Sequence, residues 1–343
     1  MFIRNAWYVI AWDHEVPRDG LFTRTVIGEP VLLYRTAAGD IVALEDRCCH
    51  RQAPLSRGRK EGDCVRCGYH GLKFDSTGAC VEVPGLDRVP PQARVRRYPA
   101  VLHNRWVFVW MGDEAGADTA LLPDNFSNDH PDWRYLPGYL HYDTPWQLIA
   151  DNLLDFSHLS YVHNATLGGS EQIARVRPTV DRIPRGIRVR RKVLGVPAPA
   201  YYRPLWDTQG LIDRWIDYSF TLPATLLLHS GARPAGAADN DDRVGVRFHS
   251  CQALTPETPH TTHYFFQESH RAHQGRADTT QGLFDGLCAA FEEDRQMIIA
   301  QARNLALQPG RPMLPLHMDA ALTLFRRLVE QELADEAAGA GAA

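Results

Sequence analysis

No window of this chain reaches the roughly 18 consecutive apolar residues of a membrane-spanning helix, which excludes a helical span. The opening segment MFIRNAWY is followed by neither the apolar core nor the small-residue cleavage site of a secretory leader, so the expected location is the cytoplasm. Basic charge is also short: 37 Lys and Arg stand against 41 Asp and Glu, a formal charge of −4. Nucleic-acid binding needs a clear basic excess, so neither DNA nor RNA is an expected partner. A G-x-G-x-x-G fingerprint is missing too, and with it a dinucleotide site of the chain's own. Cysteine is scarce, at seven in 343 residues, yet Cys48, Cys49, Cys64 and Cys67 fall within twenty residues among histidines. In a cytosolic chain such crowding points to metal ligation before disulfides.

What is present reads as two domains. Across 22–46, short apolar runs (Thr25-Val26-Ile27, Val31-Leu32-Leu33-Tyr34, Ile41-Val42-Ala43-Leu44) alternate with turn residues at Gly28-Glu29-Pro30 and Ala38-Gly39-Asp40, the punctuation of β-hairpins. A further strand is expected at Trp106–Trp110, and Gly116, Ala117 and Pro123 read as a linker. These features predict a small all-β domain over 1–113. From 114 to 335 the pattern is mixed: a helical segment near 146–163, β-rich stretches at 187–189, 218–228, 244–254 and 263–266, then helices near 281–306 and 318–335. That is an α+β second domain. The Ala/Gly-rich remainder, 336–343, is expected to be disordered.

The first chemical constellation is Cys48-Cys49-His50, sixteen residues, then Cys67-Gly68-Tyr69-His70, or C-x-H-x16-C-x2-H. Two cysteines and two neutral histidines, one of each per loop, satisfy a [2Fe-2S] cluster with thiolates on one iron and imidazoles on the other. Cys48 is preferred to Cys49 because residues two apart in extended chain point the same way as His50. Gly68 and Gly71 permit tight backbone around His70, and Pro84-Gly85 offers a third covering loop. The alternative is a structural zinc tetrad, which the same residue types suit.

The second constellation is Asp155, His158 and His163, D-x2-H-x4-H in an apolar helical pattern. Two histidines and a carboxylate with open positions are what a mononuclear iron oxygenase needs. On a regular helix His163 is rotated about 140° from His158, so convergence requires a π-bulge or helix break between them. The carboxylate is expected from the later helix. Its apolar stripe runs Phe284, Leu287, Phe291, Asp294, Ile298, placing Asp294 toward the core while Glu292 and Glu293 fall off the stripe. A buried carboxylate needs a partner, and either a metal or a buried ion pair would serve.

Taken together, these residues resemble the oxygenase subunit of the Rieske non-haem iron family, in the branch that includes vanillate O-demethylase and dicamba monooxygenase. The resemblance covers most of the chain: Asn5-Ala6-Trp7-Tyr8-Val9, the Cys/His block through Ala53-Pro54-Leu55-Ser56 and Gly71, Asp151-Asn152-Leu153-Leu154-Asp155, Leu254-Thr255-Pro256-Glu257-Thr258, His263-Tyr264-Phe265-Phe266 and Glu293-Asp294. It implies a Rieske domain followed by a helix-grip-like catalytic domain with an antiparallel sheet. It makes Cys48, His50, Cys67 and His70 the cluster ligands, His158, His163 and Asp294 the iron ligands, Asp155 the electron bridge between subunits of a head-to-tail homotrimer, and Asn152 a polar residue near the iron. Cys49 departs from the proline or small residue usual in relatives, and Cys64 is an extra thiol.

The implied chemistry draws electrons from NAD(P)H through a separate flavin and iron–sulfur reductase and uses dioxygen to hydroxylate a small aromatic substrate. O-demethylation of a methoxylated aromatic acid is the first reading, with release of formaldehyde. Aryl-methyl hydroxylation, N-demethylation and ring dihydroxylation are open to the same iron. A different class, a Rieske electron-transfer protein without oxygen chemistry, would lack the second constellation, and a zinc-stabilised binding module would be colourless. Arg47, Arg51, Arg57, Arg59, Lys60 and Arg66 surround the cluster loops and suggest either a docking face for an acidic reductase or an ordinary solvated face. Gln252 and His249 are candidates for holding a substrate oxygen.

Overall fold

The computed structural model describes residues 1–163, 166–168, 171–238 and 244–340, the last without its side chain. The chain divides into two compact units, Met1–Leu122 with Thr255–Pro259, and Pro123–Leu254 with His260–Ala343. Thr255–Pro259 joins the first unit through hydrogen bonds that no reading of chain order would suggest. The Ile27 and Gly28 amides donate to the Pro256 and Glu257 carbonyls at 2.7 and 2.8 Å, and Thr255 Oγ1 donates to the Val9 carbonyl.

The first unit is all β. Its strands are β1 (Trp7–Trp12), β2 (Phe22–Val26), β3 (Glu29–Arg35), β4 (Ile41–Glu45), β5 (Arg59–Glu61), β6 (Cys64–Arg66), β7 (Lys73–Phe74), β8 (Cys80–Glu82), β9 (Arg97–Tyr98), β10 (Ala100–His103) and β11 (Trp106–Trp110). They form three sheets, β1-β11-β10, β2-β3-β4-β9 and β5-β6-β7-β8. The hairpins expected across 22–46 are β2, β3 and β4, paired antiparallel. β1 is buried along its whole length, and its indoles meet those of β11, Trp7 with Trp110 and Trp12 with Trp106, at centroid distances of 5.5 Å. Such pairs add to the burial of large apolar rings.

The second unit is α+β. Its strands are β12 (Trp133–Arg134), β13 (Gly138–Tyr142), β14 (Thr179–Ile183), β15 (Gly186–Pro197), β16 (Leu211–Thr221), β17 (Thr225–Pro234), β18 (Val246–Thr258) and β19 (Thr261–Arg271). They order as β12-β19-β18-β17-β16-β15-β14, with β13 also on β19. The β-rich stretch at 218–228 resolves into the end of β16 and the start of β17, turning at Leu222–Ala224.

Among the described residues, four α-helices accompany this sheet: α1 (Trp146–Leu154), α2 (Glu171–Arg175), α3 (Thr279–Leu307) and α4 (Ala320–Ala340). On α3 the buried stripe is Leu283, Leu287, Ala290, Phe291, Asp294 and Ile298. Phe284, expected on that stripe, is half-buried instead and stacks on Phe266. α4 is pinned by Phe325 against Phe220, by Arg326 on Asp151 of α1, and by Glu332 on Arg185. The tail expected to be disordered from 336 stays helical to Ala340. Its alanines are the strongest helix formers, and they carry the helix on once it has been nucleated by packing. Residues 341–343 lie outside the described residues. Among the described residues, no helix is long and apolar enough to cross a membrane.

Candidate metal centres

The two Cys/His loops of the first unit are built alike. In each, the cysteine amide donates to the carbonyl five residues on, Cys48 to Ala53 and Cys67 to Leu72, both at 2.8 Å. The cysteine carbonyl accepts from the amide four residues on, Gln52 in one loop and Gly71 in the other. Both closing residues have positive φ, 57° at Gln52 and 78° at Gly71. A left-handed residue is what lets so short a segment double back. A Cβ on Gly71 would also stand 2.9 Å from Pro84 Cγ, so the Pro84-Gly85 segment does cover the second loop.

The donors sort two by two. Cys48 and Cys67, each 2 % exposed, sit in an apolar cluster with Leu32, Leu44 and Leu72. Burial pushes the Cys48 thiol up to about 12, with the neighbouring Cys67 adding to the effect. His50 and His70 are exposed, their ring centroids 4.6 Å apart. A buried thiol pair beside an exposed imidazole pair matches two irons with unlike ligands better than one tetrahedral zinc. Cys49 faces outward, as expected. The surrounding positive charge is partly consumed internally. Arg66 pairs with Glu61 and Glu82, and Arg59 with Glu61; Lys60 donates to the Arg18 carbonyl. Arg51 and Arg57 stay exposed.

In the second unit α1 stops at Leu154. Asp155 is extended, a 3-10 turn covers Phe156–Ser160, and the chain bends again after it. The required interruption is thus a helix break and not a π-bulge. It turns His158 and His163 toward each other, with ring centroids 5.2 Å apart. Asp294 of α3 completes the set. His163 Nε2 is 3.1 Å from one carboxylate oxygen and His158 Nε2 is 3.6 Å from the other. The three ligand atoms lie within 4.8 Å of one another.

Both rings have their other nitrogen engaged. His158 Nδ1 donates to the Asp155 carbonyl, and His163 Nδ1 to Glu293 at 2.8 Å, so each presents Nε2 to the common point. Fixing the tautomer from behind is how proteins orient metal-ligating imidazoles. Burial holds His158 below its ordinary pKa. At His163 burial acts in the same sense, but Asp294 and Glu293 outweigh it and hold the ring above. Two imidazoles and one carboxylate, mostly dry and pre-aimed, fit a mononuclear divalent iron. Asn152 Nδ2 donates to Asp294 Oδ1 at 3.0 Å. The Asp155 carboxylate accepts from the Ser157 amide and hydroxyl at 2.9 and 2.7 Å.

Asn152, His158, His163 and Asp294 line a cavity of about 80 Å³ whose other walls include Leu153, Phe156, Ile216, Leu228 and Phe248. Gln252 is on its wall, as expected. His249 is not: it stacks on His229 at 4.7 Å and packs on Trp133, at a different pocket. Successive strand residues point to opposite faces, which is why 248 and 252 line the cavity and 249 does not. Glu293, Arg214, Tyr201 and Glu268 were overlooked in the sequence. Glu293 lies off the apolar stripe yet is next in chain to Asp294. Arg214 could have been found, because it occupies a core-facing position of β16 in step with Ile212, Ile216, Tyr218 and Phe220.

A thiolate-and-imidazole β unit and an α+β unit with a two-histidine, one-carboxylate centre define a class, the Rieske non-haem iron oxygenase component. Comparison with known proteins agrees along the whole chain. Residues 6–99 match the Rieske [2Fe-2S] domain, and residues 142–335 match the vanillate O-demethylase oxygenase C-terminal domain. The iron-sulfur subunit of the toluene-4-sulfonate monooxygenase system of Comamonas testosteroni is 44 % identical, with 99 % of each chain covered. A vanillate O-demethylase oxygenase subunit of a Pseudomonas species is 33 % identical over 91 % of this chain and 97 % of its own. The crystal structure of dicamba monooxygenase bound to 3,6-dichlorosalicylic acid superposes with a TM-score of 0.91 at 31 % identity, over 98 % of this chain and 99 % of that one. The chain accordingly belongs to the vanillate O-demethylase branch of the Rieske oxygenases, and it is an oxygenase component carrying a [2Fe-2S] cluster and a mononuclear iron, supplied with electrons by a separate reductase.

Proposed function

We propose that the chain monooxygenates a one-carbon substituent, methyl or methoxy, on an arene that also bears an acidic group. The carrying observation is the convergence of His158, His163 and Asp294 on one wall of a largely apolar cavity. The relatives support the substrate class: one is named for toluene-4-sulfonate, and others for O-demethylation of vanillate and dicamba. On a methoxy group the reaction is the O-demethylation first expected, giving a phenol and formaldehyde. On a methyl group it gives a hydroxymethyl arene, and the 44 % identical relative favours this second outcome. In either case one oxygen atom enters the C–H bond, the other leaves as water, and the reductase supplies two electrons.

In this reading Cys48, His50, Cys67 and His70 hold the cluster, and His158, His163 and Asp294 hold the iron, which when bound supplies oxygen activation. The chain's own contribution is placement. Glu293 and the Asp155 carbonyl lock the two imidazoles, Asn152 steadies the carboxylate, and the apolar lining keeps water from the reacting carbon. Asp155 is further proposed to carry electrons from a neighbouring subunit's cluster in a homotrimer; its position beside His158 supports that role. None of the seven cysteines forms a disulfide, which suits a reducing cytoplasm.

The test reconstitutes the enzyme with a reductase and NADH and supplies toluene-4-sulfonate and 4-methoxybenzoate, following product, formaldehyde and total iron. Three irons per chain and hydroxylation of one substrate are expected. Two irons per chain with no oxygen-dependent product would reduce the protein to an electron carrier.

A further inference from the structure

The cavity holds a second polar group besides the metal-facing one. Arg214 comes from β16, Glu268 from β19, and Tyr201 from the 3-10 turn Ala200–Tyr202. Tyr201 and Glu268 satisfy each other, the tyrosine hydroxyl donating to the carboxyl group. Arg214 is served poorly. Its Nε is buried with no hydrogen-bond partner, and one Nη reaches only the Gly168 carbonyl, at a long 3.4 Å. The guanidinium carbon lies 5.3 Å from the centre of the Tyr202 ring, a cation–π contact, and the Tyr202 hydroxyl is a further hydrogen-bond neighbour of the group. Among the described residues no carboxylate forms an ion pair with it.

A guanidinium carries five N–H donors and keeps its charge at any ordinary pH. Placing one on a core-facing strand position with a buried, unpartnered Nε, one long backbone hydrogen bond and the Tyr202 hydroxyl is costly unless something else in the cavity accepts. The planar fork suits two oxygens of one oxyanion. The neighbouring lining, including Ile216, Leu228 and Phe248, suits an arene.

We propose that Arg214 is the specificity-determining residue of this enzyme, anchoring the acidic substituent of the arene, a sulfonate or a carboxylate, by a bidentate ion pair. The proposal rests on the substrate class stated above and adds the residue that enforces it. With the acid group held at Arg214, the remaining substituents of the ring are left to meet His158, His163 and Asp294, which line the same cavity.

The test measures binding and turnover separately on cluster-replete, iron-loaded enzyme. Toluene-4-sulfonate, 4-methylbenzoate and the neutral toluene-4-sulfonamide are titrated calorimetrically into the wild type, R214Q and R214K. Both anions are expected to bind the wild type and to lose roughly 10- to 100-fold in R214Q, the value of a charge-assisted hydrogen-bonded pair. R214K should fall between, because it keeps the charge and loses the fork. The sulfonamide should bind all three proteins alike, which also shows that the variants are folded. The preference between the two anions tells which acid the subsite takes. Anions that bind R214Q as tightly as the wild type, or that fail to bind the wild type, overturn the proposal, as does equal loss of the neutral ligand in both variants. Arg214-dependent anion binding in an enzyme that hydroxylates neither anion would keep the anchor and remove the reaction proposed above; turnover indifferent to Arg214 would do the reverse.

Discussion

Glu293 shows how much a single side chain outside the ligand set can decide. Its carboxylate accepts from His163 Nδ1 and from Thr166 Oγ1 at 2.8 and 2.9 Å, which fixes both the tautomer and the plane of that imidazole. Partners of this kind are worth about 10- to 100-fold in metal affinity or activity. E293Q should therefore bind iron at the mononuclear centre that much more weakly while the cluster's visible spectrum is unchanged, as measured by iron titration and absorbance. Glu268 makes a second residue-scale prediction. Burial pushes its carboxyl up to about 7, against the opposing pull of the Tyr201 hydrogen bond and the Arg214 charge. Below that pH the group is neutral and Arg214 keeps its full attraction for an aryl anion. Above it the new carboxylate competes with the substrate for the same cation, with Tyr201 and Tyr202 the other titratable groups beside it. The KM for an anionic substrate should rise severalfold from about pH 6 to about pH 8, and in E268Q this rise should vanish.

At the scale of elements, the metal-binding devices are interruptions of regular structure held by regular neighbours. The second Cys/His loop closes on Gly71, where φ is +78° and a Cβ would press on Pro84. G71A should lower cluster occupancy, read as loss of visible absorbance per chain, far more than a substitution at exposed Cys49. In the other unit, α1 has to end where it does for Asp155 to turn. The Tyr218 hydroxyl donates to the Leu154 carbonyl at 3.0 Å, satisfying one of the helix's terminal acceptors, and Arg326 of α4 grips Asp151 on the same helix. Asp151 is mostly buried and Arg326 about two-fifths exposed. R326A should cost about 1–2 kcal/mol, a charge-assisted pair discounted for solvent, seen as a lower urea midpoint with unchanged slope. The sequence showed that a break was needed between His158 and His163, because their spacing cannot converge on a straight helix. It did not show that the helix would end before His158, at an extended Asp155, and give way to a 3-10 turn closing at Ser160 instead of a π-bulge, since that depends on which neighbours satisfy the freed backbone groups.

For the whole molecule, the electron route is the open quantity. Asp155 carries a proposed bridging role, and its carboxylate is already occupied by Ser157 within its own chain. If it links two subunits, D155N should assemble and bind three irons as the wild type does, yet reduce its mononuclear centre far more slowly in single-turnover kinetics. Equal rates would end that role. Reductase docking narrows in the same way: with Arg59 and Arg66 paired internally, reversing Arg51 and Arg57 is the test of electrostatic steering, read as altered salt dependence of the reductase KM.

The order of the two motifs, C-x-H-x16-C-x2-H followed by D-x2-H-x4-H, and the core-facing place of Asp294 on α3 were legible because ligand chemistry and helical period leave marks on residue type and spacing. The hairpins across 22–46 were legible for the same reason, as alternation and turn residues are local. Tertiary structure alone decided that Glu293 stands behind His163, that His249 leaves the cavity while Arg214 enters it, and that Thr255–Pro259 pairs with the turn at Ile27 and Gly28. Those outcomes depend on strand register and on contacts between elements more than a hundred residues apart, and a one-residue change in register would exchange the faces of a strand without altering a single letter of its sequence.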